Sequence, residues 1–127
     1  LVPAAVGGVI TEQNADKIKA GSIFEAANGP ITRSGESILE DKGKIIFPDI
    51  LVNAGGVIVS YFEWVQNIQE FTWELDEVND KLKRILINSY QQVCQLANKQ
   101  KISMRTAAFM VGVERVAEAT RLRGYLN

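Results

Sequence analysis

Ser22-Ile-Phe-Glu-Ala-Ala-Asn-Gly-Pro30, carried on through residues 32–42 to Lys44-Ile-Ile-Phe-Pro48, is the stretch that decides the fold. An apolar run over 22–27 closes on Asn28-Gly29-Pro30, a strong turn signal. An amphipathic segment over 32–42 then stops at Gly43, and a second apolar run over 44–47 stops at Pro48. Strand, short helix and strand in that order predict a right-handed crossover and a parallel sheet. Working outward to the beginning, residues 1–6 read as the end of a further strand. Residues 11–20 read as a helix, with Thr11 as N-cap and Gly21 as stop. The expected fold is α/β, with about three parallel strands in residues 1–52 arranged βαβαβ. Three strands make a thin sheet, so an unpaired edge is expected.

Beyond residue 52 the pattern changes to helices. Residues 53–69, with a start at Asp49 or Asn53, form a largely apolar helix and are expected to be buried. Leu75, Val78, Leu82, Ile85, Leu86, Val93 and Leu96 recur at helical spacing in a second helix over 75–99. A third helix over 103–123 takes Ser103 as cap and Gly124 as stop, and carries a face of small residues around Ala107, Ala108 and Gly112. No linker divides the 127 residues, so one domain is expected, with residues 53–127 as its helical part.

Composition narrows the function classes. Fourteen Lys and Arg against fifteen Asp and Glu give a formal net charge of −1, which argues against a nucleic-acid binder. The longest apolar run is broken by Asn53 and Gly55-Gly56 and is too short for a membrane helix. A single cysteine, Cys94, excludes an internal disulfide and fits a reducing, cytoplasmic setting; it reads as a buried helix residue without chemical consequence. The chain has no histidine, so the commonest general base and metal ligand are both missing, and no metal site is expected. The opening Leu1-Val2-Pro3, apolar and without methionine, reads as a cut end.

Ligands of an open parallel sheet bind outside the carboxyl ends of its strands. Three segments fall on that rim: Pro3-Ala4-Ala5, Ala27-Asn28-Gly29-Pro30 and residues 48–56. Ala4, Ala5, Ala27 and Gly29 allow close approach to the backbone. Asn28 and Asn53 offer amide donors and acceptors for a sugar hydroxyl or a carboxamide, and equally suit a turn former and a helix cap. Gly55-Gly56 in a helix's first turn favours an anion or tight packing. Val57 and Ser60 share a helix face one turn from the rim, suited to an aliphatic chain ending in a carboxylate; a mid-helix serine also back-bonds to the preceding turn. Tyr61, Phe62 and Trp64 read as core or interface aromatics.

Several stretches together resemble the C-terminal part of the glutamate/leucine/phenylalanine/valine dehydrogenase family, and most of all its glutamate-specific members. They are Val2-Pro-Ala-Ala with Val9-Ile-Thr, Glu25-Ala-Ala-Asn-Gly-Pro30, and Pro48-Asp-Ile-Leu-Val-Asn-Ala-Gly-Gly-Val57 running into Ser60-Tyr-Phe-Glu-Trp64. The tail Arg105-Thr-Ala-Ala-Phe, Arg115-Val-Ala-Glu-Ala and Arg123-Gly124 fits as well, so the similarity spans the whole chain in order. The resemblance implies a partial Rossmann-like sheet, the C-terminal fragment of a dinucleotide-binding domain. It implies that Asn28 and Asn53 contact the nicotinamide end of NAD or NADP, and that Ala4 and Ala5 line the floor near the ring. Ser60 is implied to donate to the side-chain carboxylate of glutamate and Val57 to pack on its methylenes. Members acting on leucine, valine or phenylalanine keep Asn-Ala-Gly-Gly but lack Ser-Tyr-Phe-Glu-Trp, which favours glutamate.

The family's Gly-rich fingerprint, catalytic lysines and catalytic aspartate belong upstream of Leu1. The expectation is therefore a portion of a glutamate dehydrogenase, homo-hexameric in the parent, with no catalytic residue of its own and no activity in isolation. A fragment acting on branched or aromatic amino acids and a non-catalytic binding module remain the alternatives.

Overall fold

The computed structural model describes residues 1–125, so the last two residues of the expected helical part lie outside it. Two short strands, β1 (Ser22–Phe24) and β2 (Ile45–Phe47), pair in parallel with Ile23 opposite Ile46. Helix α1 (Arg33–Asp41) joins them. It starts where the sequence says it should, because the Thr32 hydroxyl accepts the free N–H of Gly35 at 3.2 Å. Side chains alternate across the strands. Ile23 and Ile46 enter a core with Leu39 of α1, Ile10, Ala15 and Ile31. Phe24 and Phe47 point to the other face, where their rings stack with centroids 4.3 Å apart and Phe47 meets Tyr90.

Helices α2 (Asp49–Val52), α3 (Ala54–Gln69), α4 (Leu75–Gln100) and α5 (Met104–Leu122) complete the order. Ser103 caps α5 by accepting from the N–H of Thr106. A second core forms where α4 and α5 meet, around Val93, Ala97, Ala107 and Ala108, with Leu51 of α2 against it. The alanines let the two helices approach closely, as the small-residue pattern implied.

The N-terminal part departs from expectation. Of three expected strands, two form among the described residues. Residues 1–6 lie beside β1 without becoming a strand: the Leu1 carbonyl accepts from Phe24 N–H at 3.0 Å and the Pro3 carbonyl from Ala27 N–H at 2.9 Å. Pro3 has no N–H to return, and Ala26 N–H turns back onto the Phe24 carbonyl. The Leu1 amine does donate to the Ser22 carbonyl at 3.0 Å, but the ladder goes no further than that one exchange. Ile10 then makes an isolated parallel bridge to Ile31. The helix expected over 11–20 shrinks to a single 3-10 turn, Ala15–Lys17. The Asn14 carboxamide, which accepts from Thr11 N–H and donates to the Val9 carbonyl, holds the chain in a turn instead.

The apolar helix also differs. It breaks at Asn53 into α2 and α3, and Phe62 is the buried residue of α3. Val57 is 70% exposed and Trp64 57% exposed, so the apolar surface of α3 is open in this chain rather than buried. Cys94 is half-buried rather than buried, and its thiol beside Tyr90 pushes the phenol above its usual value.

Two glycines in helices should respond oppositely to alanine. A Cβ on Gly35 would stand 2.9 Å from the Ile10 carbonyl oxygen, whereas one on Gly112 of α5 meets nothing within 4 Å. Gly35→Ala should destabilise by ~1–3 kcal/mol through overpacking. Gly112→Ala should stabilise by up to ~1 kcal/mol through helix propensity. Denaturant unfolding of the two variants checks both signs.

Candidate functional site

The loop after β1 and the start of α2 are drawn together by one buried carboxylate. Glu25 is fully buried. Its Oε2 accepts the N–H of Asp49 at 2.9 Å, and its Oε1 takes Arg105 Nη2 at 2.7 Å. Arg105, from the first turn of α5, also donates from Nε to Glu36 of α1 at 2.7 Å and reaches Asp49 from Nη1 at 3.4 Å. Asp49 in turn accepts the N–H of Gly29 through Oδ2 at 2.7 Å. Burial opposes the Arg105 charge, but its hydrogen bonds to Glu25 and Glu36 outweigh that and raise its proton affinity above the ordinary value. On the exposed side of α1, partial burial and the charge of Glu36 push the Glu40 carboxyl up, against the pull of Arg105.

This cluster borders a cleft of ≈ 580 Å³ between α1 and α5, with Arg33, Ser37 and Thr106 among its lining. Of its charged walls, Glu36, Asp49 and Arg105 are committed to one another.

A second cleft, of ≈ 590 Å³, opens at the rim beyond β1 and β2 and is lined by Ala5, Val6, Gly7, Ala26, Ala27, Asn28, Asn53 and Val57. Four of the six residues singled out in the sequence, Ala5, Asn28, Asn53 and Val57, therefore meet at one place. Ala4 and Ser60 do not line it. Ala4 is exposed beside Ala5, and Ser60 is exposed on α3 one turn beyond Val57.

Asn53 does not cap α3 with its side chain. Its Nδ2 donates instead to Asn28 Oδ1 at 2.7 Å and to the Ala26 carbonyl at 3.3 Å. With these bonds made, the pair retains an acceptor, Asn53 Oδ1, and a donor, Asn28 Nδ2. An acceptor beside a donor is the complement of a carboxamide group. The floor is held close on its other side: Gly8 N–H donates to the Gly29 carbonyl at 2.8 Å, and a Cβ on Gly7 would lie 2.9 Å from the Asn28 carbonyl oxygen.

Sequence reasoning missed the Glu25–Arg105–Asp49 cluster as a structural unit. Glu25 follows a strand of apolar residues, and a carboxylate alone there gives no sign of a partner eighty residues on. The signal was present in Arg105 at the first turn of a helix, where the helix dipole disfavours a cation unless acids surround it.

Comparison with known proteins adds the following. The family model described as Glutamate/Leucine/Phenylalanine/Valine dehydrogenase matches residues 1–124. A cryptic catabolic NAD-specific glutamate dehydrogenase of Bacillus subtilis (strain 168) is 51% identical over 126 residues, covering 99% of this chain and 30% of that enzyme. The crystal structure of glutamate dehydrogenase from Peptoniphilus asaccharolyticus matches with a TM-score of 0.91 at 39% identity, over 98% of this chain and 32% of that one. The hetero-hexameric glutamate dehydrogenase of Thermus thermophilus, in its Leu bound form, gives a TM-score of 0.93 at 34% identity, over 100% and 30% of the two chains. The chain thus spans about 30% of the length of the curated relatives it matches.

Removing Arg105 leaves Glu25 charged, buried and unpaired, so Arg105→Ala should cost about 3–5 kcal/mol. Arg121, whose side chain is 67% exposed in its pair with Glu118, is the control; Arg121→Ala should change stability by less than about 1 kcal/mol. Urea unfolding curves compare the two.

Proposed function

This chain belongs to the glutamate/leucine/phenylalanine/valine dehydrogenase family, and we propose that it is the C-terminal part of an NAD-dependent glutamate dehydrogenase. The observation that carries the proposal is the rim cleft, where Asn28 and Asn53, hydrogen-bonded to each other, keep one amide acceptor and one amide donor uncommitted among small lining residues. The overall reaction turns glutamate, NAD⁺ and water into 2-oxoglutarate, ammonium and NADH, with release of a proton. The cofactor supplies the hydride acceptor. On this reading Asn28 and Asn53 hold the carboxamide end of the nicotinamide, which fixes the ring face. Ala4 and Ala5 leave room for the ring to lie against the backbone. Val57 packs on the methylenes of the substrate, and the Ser60 hydroxyl donates to its side-chain carboxylate. The NAD-specific naming of the Bacillus subtilis relative supports NAD over NADP.

The same reading makes the 127 residues one domain, the C-terminal fragment of a Rossmann-like dinucleotide-binding domain, with residues 1–52 as its sheet-bearing part, built on β1–α1–β2, and 53–127 as its helical part. Its remaining strands lie in the rest of the parent. Support comes from the open edge of the two-stranded sheet and from the exposed apolar surface of α3. The parent is a homo-hexamer in the cytoplasm; the hexameric description of the Thermus thermophilus relative supports the number of subunits. No helix of the described residues is long and apolar enough to cross a membrane.

The catalytic groups lie outside this chain, so the chain alone is inactive. Hydride transfer needs donor and acceptor carbons held in contact, and residues 1–127 offer only one wall for that. Purified residues 1–127 should form no NADH from glutamate. The full-length enzyme, tested with glutamate, leucine, valine and phenylalanine and with both NAD and NADP, should select glutamate and NAD. Ser60→Ala in that enzyme should lower kcat/KM for glutamate by about 10- to 150-fold, the loss of a hydrogen bond to a charged group of ~1.5–3 kcal/mol. Turnover of the apolar amino acids in place of glutamate would overturn the pocket and keep the family.

A further inference from the structure

The hydrogen bonds that start at Arg105 end in the cleft. Arg105 meets Asp49 from the front of α5, and the other carboxylate oxygen of Asp49 receives the N–H of Gly29 at 2.7 Å. Gly29 stands at φ 54, in the left-handed region, and is the residue next to Asn28. Asn28 is the partner of Asn53 at 2.7 Å. A second path runs through Glu25, which takes Arg105 on one oxygen and the Asp49 N–H on the other, and so fixes where α2 begins, four residues before Asn53. Both asparagines therefore take their places from groups that a single guanidinium holds.

We infer that Arg105 is a positioning residue for the cofactor cleft: through Asp49 and Glu25 it sets the loop bearing Asn28 against Asn53. The position of α5, the last helix, is thereby coupled to the geometry of the nicotinamide end of the site. Arg105 lines the neighbouring cleft and not this one, so its effect reaches the ligand only through Asp49 and Glu25. The inference rests on the proposed function in taking the rim cleft as the cofactor site.

Asp49→Asn in the full-length enzyme isolates the path with little change of volume. An asparagine there must aim its NH₂ either at the Gly29 N–H or at the guanidinium, so one of the two bonds is lost. Arg105→Lys keeps the charge but has no planar fork to span Glu25, Glu36 and Asp49 at once. Titration of NADH fluorescence gives the dissociation constant directly, with KM for glutamate and the melting temperature measured on the same preparations. Each variant should weaken NADH binding by about tenfold, or ~1.4 kcal/mol, while KM for glutamate stays within about twofold. The double variant should bind NADH more tightly than two independent tenfold losses would give, because both substitutions disturb the path through the Asp49 carboxylate. A folded Asp49→Asn enzyme with unchanged NADH affinity overturns the inference, as does an Arg105→Lys enzyme that loses melting temperature alone. Asn28→Ala separates the two levels. If it weakens NADH binding and Asp49→Asn does not, the positioning role falls and the site stands. If neither does, the reading of the cleft falls with it.

Discussion

A carboxylate with no access to water is the constraint around which the chain is organised. Glu25 directly follows β1, and burying its charge costs several kcal/mol unless a cation and hydrogen-bond donors meet it. Both are present. Arg105 supplies the cation and the Asp49 N–H a second donor, and Arg105 itself also reaches Glu36 and Asp49, so four elements meet at the Glu25–Arg105 pair: β1, α1 through Glu36, α2 through Asp49, and α5. No buried side-chain polar atom among the described residues is left without a partner, which is what a satisfied network of this kind requires. The two apolar cores, one under α1 and one between α4 and α5, contain mostly small or branched residues and give no directional information of their own. The polar cluster between them supplies it.

Around that anchor the surfaces divide into two kinds. The rim cleft is polar, small-sided and tied down by backbone hydrogen bonds on both flanks. The outer faces of α3 and α5 are the reverse, with Tyr61, Trp64, Phe109 and Val113 all exposed. Isolated exposed apolar residues need no explanation, but two helices carrying several each do. The proposed reading, in which further parts of a longer parent lie against these faces, is consistent with the apolar α3 that sequence periodicity read as buried.

What the sequence made legible follows from how local each signal is. The Thr32 and Ser103 caps, the parallel crossover and the long helix α4 were readable because propensity and capping act over a few residues. The strand at residues 1–6 and the helix at 11–20 were not, because each depends on one local competitor: the missing N–H of Pro3 and the carboxamide of Asn14. At the rim, the segments bearing Ala5, Asn28 and Asn53 were placed together by topology, and Val57 by its helix face one turn away; the same reasoning put Ala4 and Ser60 there, and neither lines the cleft. The role of Arg105 needed a contact across eighty positions, which no window of sequence contains.

That distance along the chain also bears on how the protein is made. Glu25 is among the early residues of this segment to leave the ribosome and Arg105 among the late ones. Chains fold from the N-terminal side as they emerge. Until α5 appears, the buried acid has no guanidinium, and β1 and α1 can dock only loosely. The cleft that the early residues line is therefore completed by a helix synthesised well after them, and a truncated product ending before Arg105 would carry every rim residue yet lack the means to set them in place.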